Sequence, residues 1–199
     1  MKLTDRLLEQ PIVYRTWMAP FAEAKLAPMR AHTDFTKLKR VLDVGCGPGT
    51  NAPHFAHADY LGVDINPQYV ADAAKRYGRP FLAADITTYQ VTGEPFDCIL
   101  VNSFLHHVDL ESTHRILAHL PTLLPADGFV HIIELVLPPK ASASRLLAKL
   151  DRGDYPRPLE EWRGIFNQHF ETVVFEPYSV GVAGVTLWEF VYFKGRKRR

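Results

Sequence analysis

The sequence predicts an α/β protein built on a doubly wound, mostly parallel sheet with helices on both faces. Three observations carry this. Short runs rich in Val, Ile, Leu and Phe alternate with segments of helical spacing. A glycine-bearing loop, "GCGPG", follows the first such run and precedes a helical segment. The last two β-type runs are joined by only "GVAG", which is too short for a crossover helix and makes them antiparallel neighbours.

The β-type runs are "RVLDV" (40–44), "YLGVD" (60–64), "PFLAAD" (80–85), "FDCILV" (96–101) and "GFVHIIELVL" (128–137). Helical segments are expected at "NAPHFAHA" (51–58), "NPQYVADAAKRYG" (66–78) and "DLESTHRILAHLPTLL" (109–124). Asn66-Pro67 and Asp109 are helix-start chemistry. Residues 1–36, with Pro11, Pro20 and Pro28 between amphipathic pieces, read as a helical N-terminal extension. Residues 139–170 read as a second helical segment broken at "DRGDYPRP" (151–158), a loop with the charge mixture of a specificity element. "ETVVFEPYSV" and "VTLWEFVYFKG" close the chain before a basic end, "KGRKRR", expected to be a frayed, solubilising tail.

With 199 residues, 47% of them hydrophobic, the chain builds one sizeable core, so 1–199 is read as a single domain with its core at 37–138. The 23 basic residues nearly balance 22 acidic ones, and a net charge of +1 argues against a nucleic-acid partner. Cys46 and Cys98 make no metal-type spacing and suit a reducing compartment. No secretory h-region and no membrane-length apolar stretch is visible, so the expected location is the cytoplasm.

In "VLDVGCGPGTN" (41–51), Gly45 and Gly47 supply a tight turn and a close backbone approach. Asp64 ends the next strand 19 positions after Gly45, placed to accept from both hydroxyls of a ribose. The dinucleotide pattern would need Gly or Ala at position 50, which is Thr50, and no P-loop Lys-Ser or Lys-Thr is present. Asp43 beside the loop disfavours a pyrophosphate and favours a cofactor carrying an ammonium group. S-adenosylmethionine meets these demands.

At this point the chain resembles the class I S-adenosylmethionine-dependent methyltransferases, over residues 38–138. "VLDVGCGPG" is similar to the family's cofactor loop and "GVDIN" to its ribose-binding strand end. "AADIT" (83–87) is similar to its adenine-contacting segment, and "FDCILVNSFLHHV" to the motif beside the transferred methyl. The resemblance implies a Rossmann-like, seven-stranded sheet whose last strand inserts antiparallel. It also implies that Gly45, Cys46 and Gly47 approach the methionine part, Asp64 holds the ribose, Ile65 packs on the adenine, and Asp85 and Ile86 hold the adenine edge. Asn102, Ser103 and Phe104 then line the methyl side. Apart from the resemblance, "YRTWMAPF" (14–21) has two readings: a lid in which Tyr14 and Arg15 close on the cofactor's carboxylate, or simple helix packing. The product is S-adenosylhomocysteine, and Cys46 is a small loop residue, not a nucleophile.

The pair His106-His107 follows the fourth strand, where ligands sit in such sheets. Histidine titrates near neutrality, so His106, with His107 second, is the candidate base for methyl transfer to an oxygen or carbon of a small-molecule acceptor. The competing role is orienting the cofactor or capping the next helix. No metal site is expected, because adjacent residues should point apart and no carboxylate stands at chelating spacing. His131 and Glu134 differ by three and so face opposite sides of the fifth strand, Glu134 nearer its carboxyl end. Competing functions are a nucleic-acid or protein methyltransferase and a non-catalytic S-adenosylmethionine-binding module; a nicotinamide oxidoreductase fits the loop poorly.

Overall fold

The computed structural model describes residues 21–90, 93–151 and 153–198. Helix α1 (Ala22–His32) leads into β1 (Arg40–Val44), a 3-10 turn (Ala52–Phe55), β2 (Asp59–Asp64), α2 (Pro67–Tyr77) and β3 (Phe81–Ala83). There follow β4 (Cys98–Asn102), a 3-10 turn (Leu105–His107), α3 (Leu110–His119), β5 (Phe129–Leu135), α4 (Ala143–Leu150), α5 (Leu159–His169), β6 (Glu171–Val182) and β7 (Val185–Arg196). They form one seven-stranded sheet in the order β3-β2-β1-β4-β5-β7-β6. Strands β1 to β5 pair in parallel, whereas β7 lies antiparallel to both β5 and β6. The reversed strand inserted second from the edge is the topology the sequence implied.

Period-two alternation splits the core into two layers. Leu42, Val44, Ile99, Val101, Val130 and Ile132 meet the apolar sides of α3 and α5. Val41, Cys98, Leu100, Ile133 and Leu135 meet α1, the turn at 52–55 and α4 on the other face. Fully buried central strands explain why their sequences read as unbroken apolar runs. Helix starts behave as expected: the Asn66 side chain accepts from Gln68 N and Tyr69 N, and the Asp109 side chain accepts from Ser112 N. Gly78 closes α2 in the left-handed conformation.

Two expectations are corrected. The segment 51–58 forms only the short 3-10 turn at Ala52–Phe55. Asn51 does not cap it, because its side-chain oxygen accepts from Asn102 Nδ2 while its Nδ2 donates to Asp43, and a nucleus this short is not extended. The basic end is not frayed as far as the described residues reach. β7 runs to Arg196, Lys194 Nζ donates to His32 O at 2.8 Å, and Arg198 Nε donates to Phe170 O at 3.3 Å. Among the described residues no helix is long and apolar enough to cross a membrane.

Candidate active site

The sheet order places β1 between β2 and β4, so the loops after these three strands meet at the switch point. Gly45 N and Cys46 N both donate to Val63 O, at 2.8 and 3.1 Å, which folds the loop back over β2. Gly45 (φ +66°) and Gly47 (φ +49°) occupy the left-handed region, and an added Cβ at Gly45 would overlap the Phe104 ring. The Asp64 carboxylate is fixed by two backbone donors: Oδ2 accepts from Gly47 N and Oδ1 from Asn66 N, each at 2.8 Å. Each oxygen keeps a second lone pair for a hydroxyl.

Behind the loop, Asp43 is fully buried. Tyr60 Oη donates to its Oδ2 at 2.7 Å, Asn51 Nδ2 reaches both oxygens, and Asn102 Nδ2 donates onward to Asn51 Oδ1 at 3.0 Å. Burial pushes Asp43 up to about 7, against the pull of the Tyr60 and Asn51 hydrogen bonds. The structure therefore places Asp43 as a brace linking β1, β2 and β4 under the loop, with Asn102 in the same network. Cys46 is buried and its thiol is raised, first by burial and then by Asp43 and Asp64, so it is inert.

These residues fit the cofactor that the resemblance implies. Ile65, adjacent to Asp64, is 74% exposed, an unsatisfied apolar surface of the kind an adenine covers. An added Cβ at Gly47 would meet nothing, so the loop is open where a ligand would approach. Asp85 is held by Thr87 N and Thr87 Oγ1 on Oδ1 alone, with Oδ2 available. Ile86 is packed in the core, which leaves backbone rather than side chain to meet a base. Tyr14 and Arg15 lie outside the described residues. Gly45→Ala is expected to weaken S-adenosylhomocysteine binding at least about tenfold and to lower the melting temperature, because backbone strain adds to the Phe104 overlap; calorimetry and thermal melting check this.

After β4 the chain turns sharply. Ser103 has φ +55°, a strained geometry for a residue with a side chain, and its N–H still reaches Ile133 O at 2.8 Å. This turn delivers Phe104 over Gly45 and sends His106 inward. Glu134, buried on β5, closes a compact network. Its Oε1 accepts from Phe104 N (2.9 Å) and Leu105 N (2.7 Å), and its Oε2 accepts from His106 Nδ1 at 2.7 Å. His106 is 2% exposed, and its Nε2 faces Asp151 Oδ1 at 3.4 Å. Burial alone would lower the imidazole, but the Glu134 charge and the bonds to Asp151 and Glu134 outweigh it and hold His106 at about 9. Glu134 and Asp151 are both lowered by the same pairing, against their own burial.

The expectation that the adjacent histidines point apart does not hold. The 3-10 turn brings their rings together, tilted by 37° with centroids 4.2 Å apart, and donor atoms of His106, His107 and Asp151 lie within 4.8 Å of one another. The break "DRGDYPRP" supplies more than Asp151. Tyr155 N donates to His106 O at 3.0 Å, and Arg157 donates to Leu105 O and Val108 O, at 3.2 and 3.1 Å, tying the loop to the turn. Arg152 lies outside the described residues. Gly153 packs so closely that an added Cβ would stand 2.7 Å from His106 O.

A small open cleft sits against this network; the space it encloses is about 20 Å3, and the rest opens to solvent. Its polar wall is Lys25, Ser103, His106, His107 and Asp151, and Leu135, Trp188 and Phe190 form the apolar wall. Lys25 had not been singled out from the sequence. The signal was there: it stands one turn before Met29, on a buried face of α1.

Residues 41–128 match the family described as a methyltransferase domain. An uncharacterised methyltransferase of Mycobacterium bovis is 34% identical over 103 residues, 49% of this chain and 51% of that protein, and one of Mycobacterium tuberculosis matches equally. The chain thus spans about half the length of the curated relatives it matches. Among solved structures, a mitomycin 7-O-methyltransferase superposes with a TM-score of 0.73 at 17% identity, over all of this chain and 61% of that one. An S-adenosylmethionine-dependent methyltransferase from Methanosarcina mazei gives 0.70 at 16% identity, over 86% and 98%. The glycine loop, the acidic end of β2, the inserted antiparallel β7 and the methyltransferase-domain match over residues 41–128 together make this chain similar to the class I S-adenosylmethionine-dependent methyltransferases.

Proposed function

We propose that the chain transfers a methyl group from S-adenosylmethionine to an oxygen or carbon of a small molecule bound in the Lys25–His106 pocket. The observation that carries this reading is the buried Glu134–His106 pair, whose histidine lines a small cleft with Lys25, Ser103 and Asp151. When bound, the cofactor supplies an electrophilic methyl on a sulfonium that departs as a neutral thioether. The chain contributes position first: Asp64 and the loop fix one reactant, and the pocket fixes the other.

Proton handling comes second. Glu134 fixes the ring through Nδ1, so Nε2 is the atom that exchanges a proton with an acceptor. In the resting arrangement Asp151 helps hold that proton on at neutral pH. An acceptor hydroxyl that takes the place of Asp151 at Nε2 removes part of this hold and lets the neutral ring act as base. The mitomycin 7-O-methyltransferase that shares this fold methylates an oxygen, which is consistent with an oxygen acceptor. Neutral overall charge disfavours a nucleic-acid substrate.

Calorimetry with S-adenosylhomocysteine, with NADH as control, tests the cofactor. One-to-one binding of the first alone is expected, and heat from NADH alone would sink the reading. His106→Ala is expected to lower the methylation rate by about 10²–10⁴ while leaving S-adenosylhomocysteine affinity nearly intact. Rate and affinity falling together would reduce His106 to a cofactor-orienting residue.

A further inference from the structure

Lys25 is 6% exposed and lines the pocket together with Leu135, Trp188 and Phe190. An ammonium carries three donors. Among the described residues Ser103 Oγ is its one hydrogen-bond partner, at 2.5 Å, with the Phe190 ring 5.1 Å away beneath the charge. Among the described residues no carboxylate hydrogen-bonds it. Glu134 is committed to His106 and two backbone N–H groups, and Asp151 is committed to His106 and Gly153 N. A buried cation with two donors that no described residue takes, lining a pocket, is costly unless a ligand completes it. Its helix is held in place independently of that ligand: Tyr178 Oη donates to Lys25 O at 2.7 Å, and Leu26 and Met29 are buried.

We infer that Lys25 is the specificity residue for the acceptor, and that the acceptor is an anionic one: a hydroxy acid whose carboxylate binds the Lys25 ammonium while its apolar body lies against Leu135, Trp188 and Phe190. The inference rests on the proposed function, since it assigns the second end of a molecule whose hydroxyl meets His106. Burial lowers Lys25 to about 8, with Glu134 and Asp151 opposing the fall, so the side chain is largely charged at neutral pH. A flat, aromatic hydroxy acid suits the ring-lined wall, and a charge-assisted bond to a buried ammonium discriminates well against a neutral isostere.

The test uses protein loaded with S-adenosylhomocysteine at pH 7, titrated calorimetrically with 4-hydroxybenzoate and its neutral isostere 4-hydroxybenzamide. The carboxylate is expected to bind at least about tenfold more tightly, a difference of about 1.4 kcal/mol. Lys25→Met is expected to bring the ratio close to one without changing S-adenosylhomocysteine affinity, and Lys25→Arg to keep a preference for the acid. A wild-type ratio near one, absence of binding by both included, overturns the inference, as does an unchanged ratio in Lys25→Met. Should Lys25→Met fail to fold, the wild-type ratio and Lys25→Arg decide. Failure of S-adenosylhomocysteine to bind wild-type protein would strike the proposed function instead, a separate readout.

Discussion

Asp64→Ala is expected to weaken S-adenosylhomocysteine binding by at least about 100-fold. The carboxylate does two things from the end of β2. It pins the glycine loop through Gly47 N and the start of α2 through Asn66 N, and it offers its remaining lone pairs to a ligand. Hydrogen bonds to a charged acceptor contribute about 1.5–3 kcal/mol each, so losing two from a ribose reaches that factor before the loop relaxes. Asp64→Asn keeps one acceptor oxygen and should fall between the two. Calorimetry reads the result, and an affinity within threefold of wild type would show that the ligand does not sit at the end of β2.

Glu134→Ala is expected to lower the melting temperature by on the order of 10 °C. The residue is fully buried and serves three donors, so its removal strands an imidazolium and two backbone N–H groups in the core. Breaking such a pair costs about 3–5 kcal/mol, and a chain of this size loses roughly 2–4 °C per kcal/mol. The same pair makes stability depend on pH. His106 titrates near 9 in the folded chain, above its unfolded value of 6.5. Its contribution is therefore full below pH 6.5 and is lost as pH rises through about 9, a change of roughly 3 kcal/mol. Glu134→Gln keeps the shape, removes the charge and should flatten that slope. A wild-type melting temperature independent of pH between 6.5 and 9 would mean that His106 is not held protonated.

Short-range patterns made much of this protein legible. β1, β4 and β5 read directly as continuous apolar runs because both faces of each are covered. Asn66 and Asp109 announced their helices because a cap is a local hydrogen bond, within three residues. The antiparallel β6–β7 pair followed from a link too short to do anything else. The glycine loop and Asp64 were readable for a similar reason: the motif is a strand, a turn and a strand end, all close in sequence. The turn at 52–55 misled because its side-chain chemistry, Asn51, is spent on a strand rather than on its own helix.

Local sequence patterns set the strands, the glycine loop and the place where His106 stands, and the family resemblance supplied the strand order. Tertiary structure alone decided what His106 faces. Its partners come from β5, 28 positions on, and from the loop after α4; the pocket they share is completed by Lys25 from α1 and the aromatic wall of β7. None of these separations has a period or a spacing rule. A buried charge is stabilised only by whatever the folded core brings within a few ångströms, and that depends on the whole sheet order.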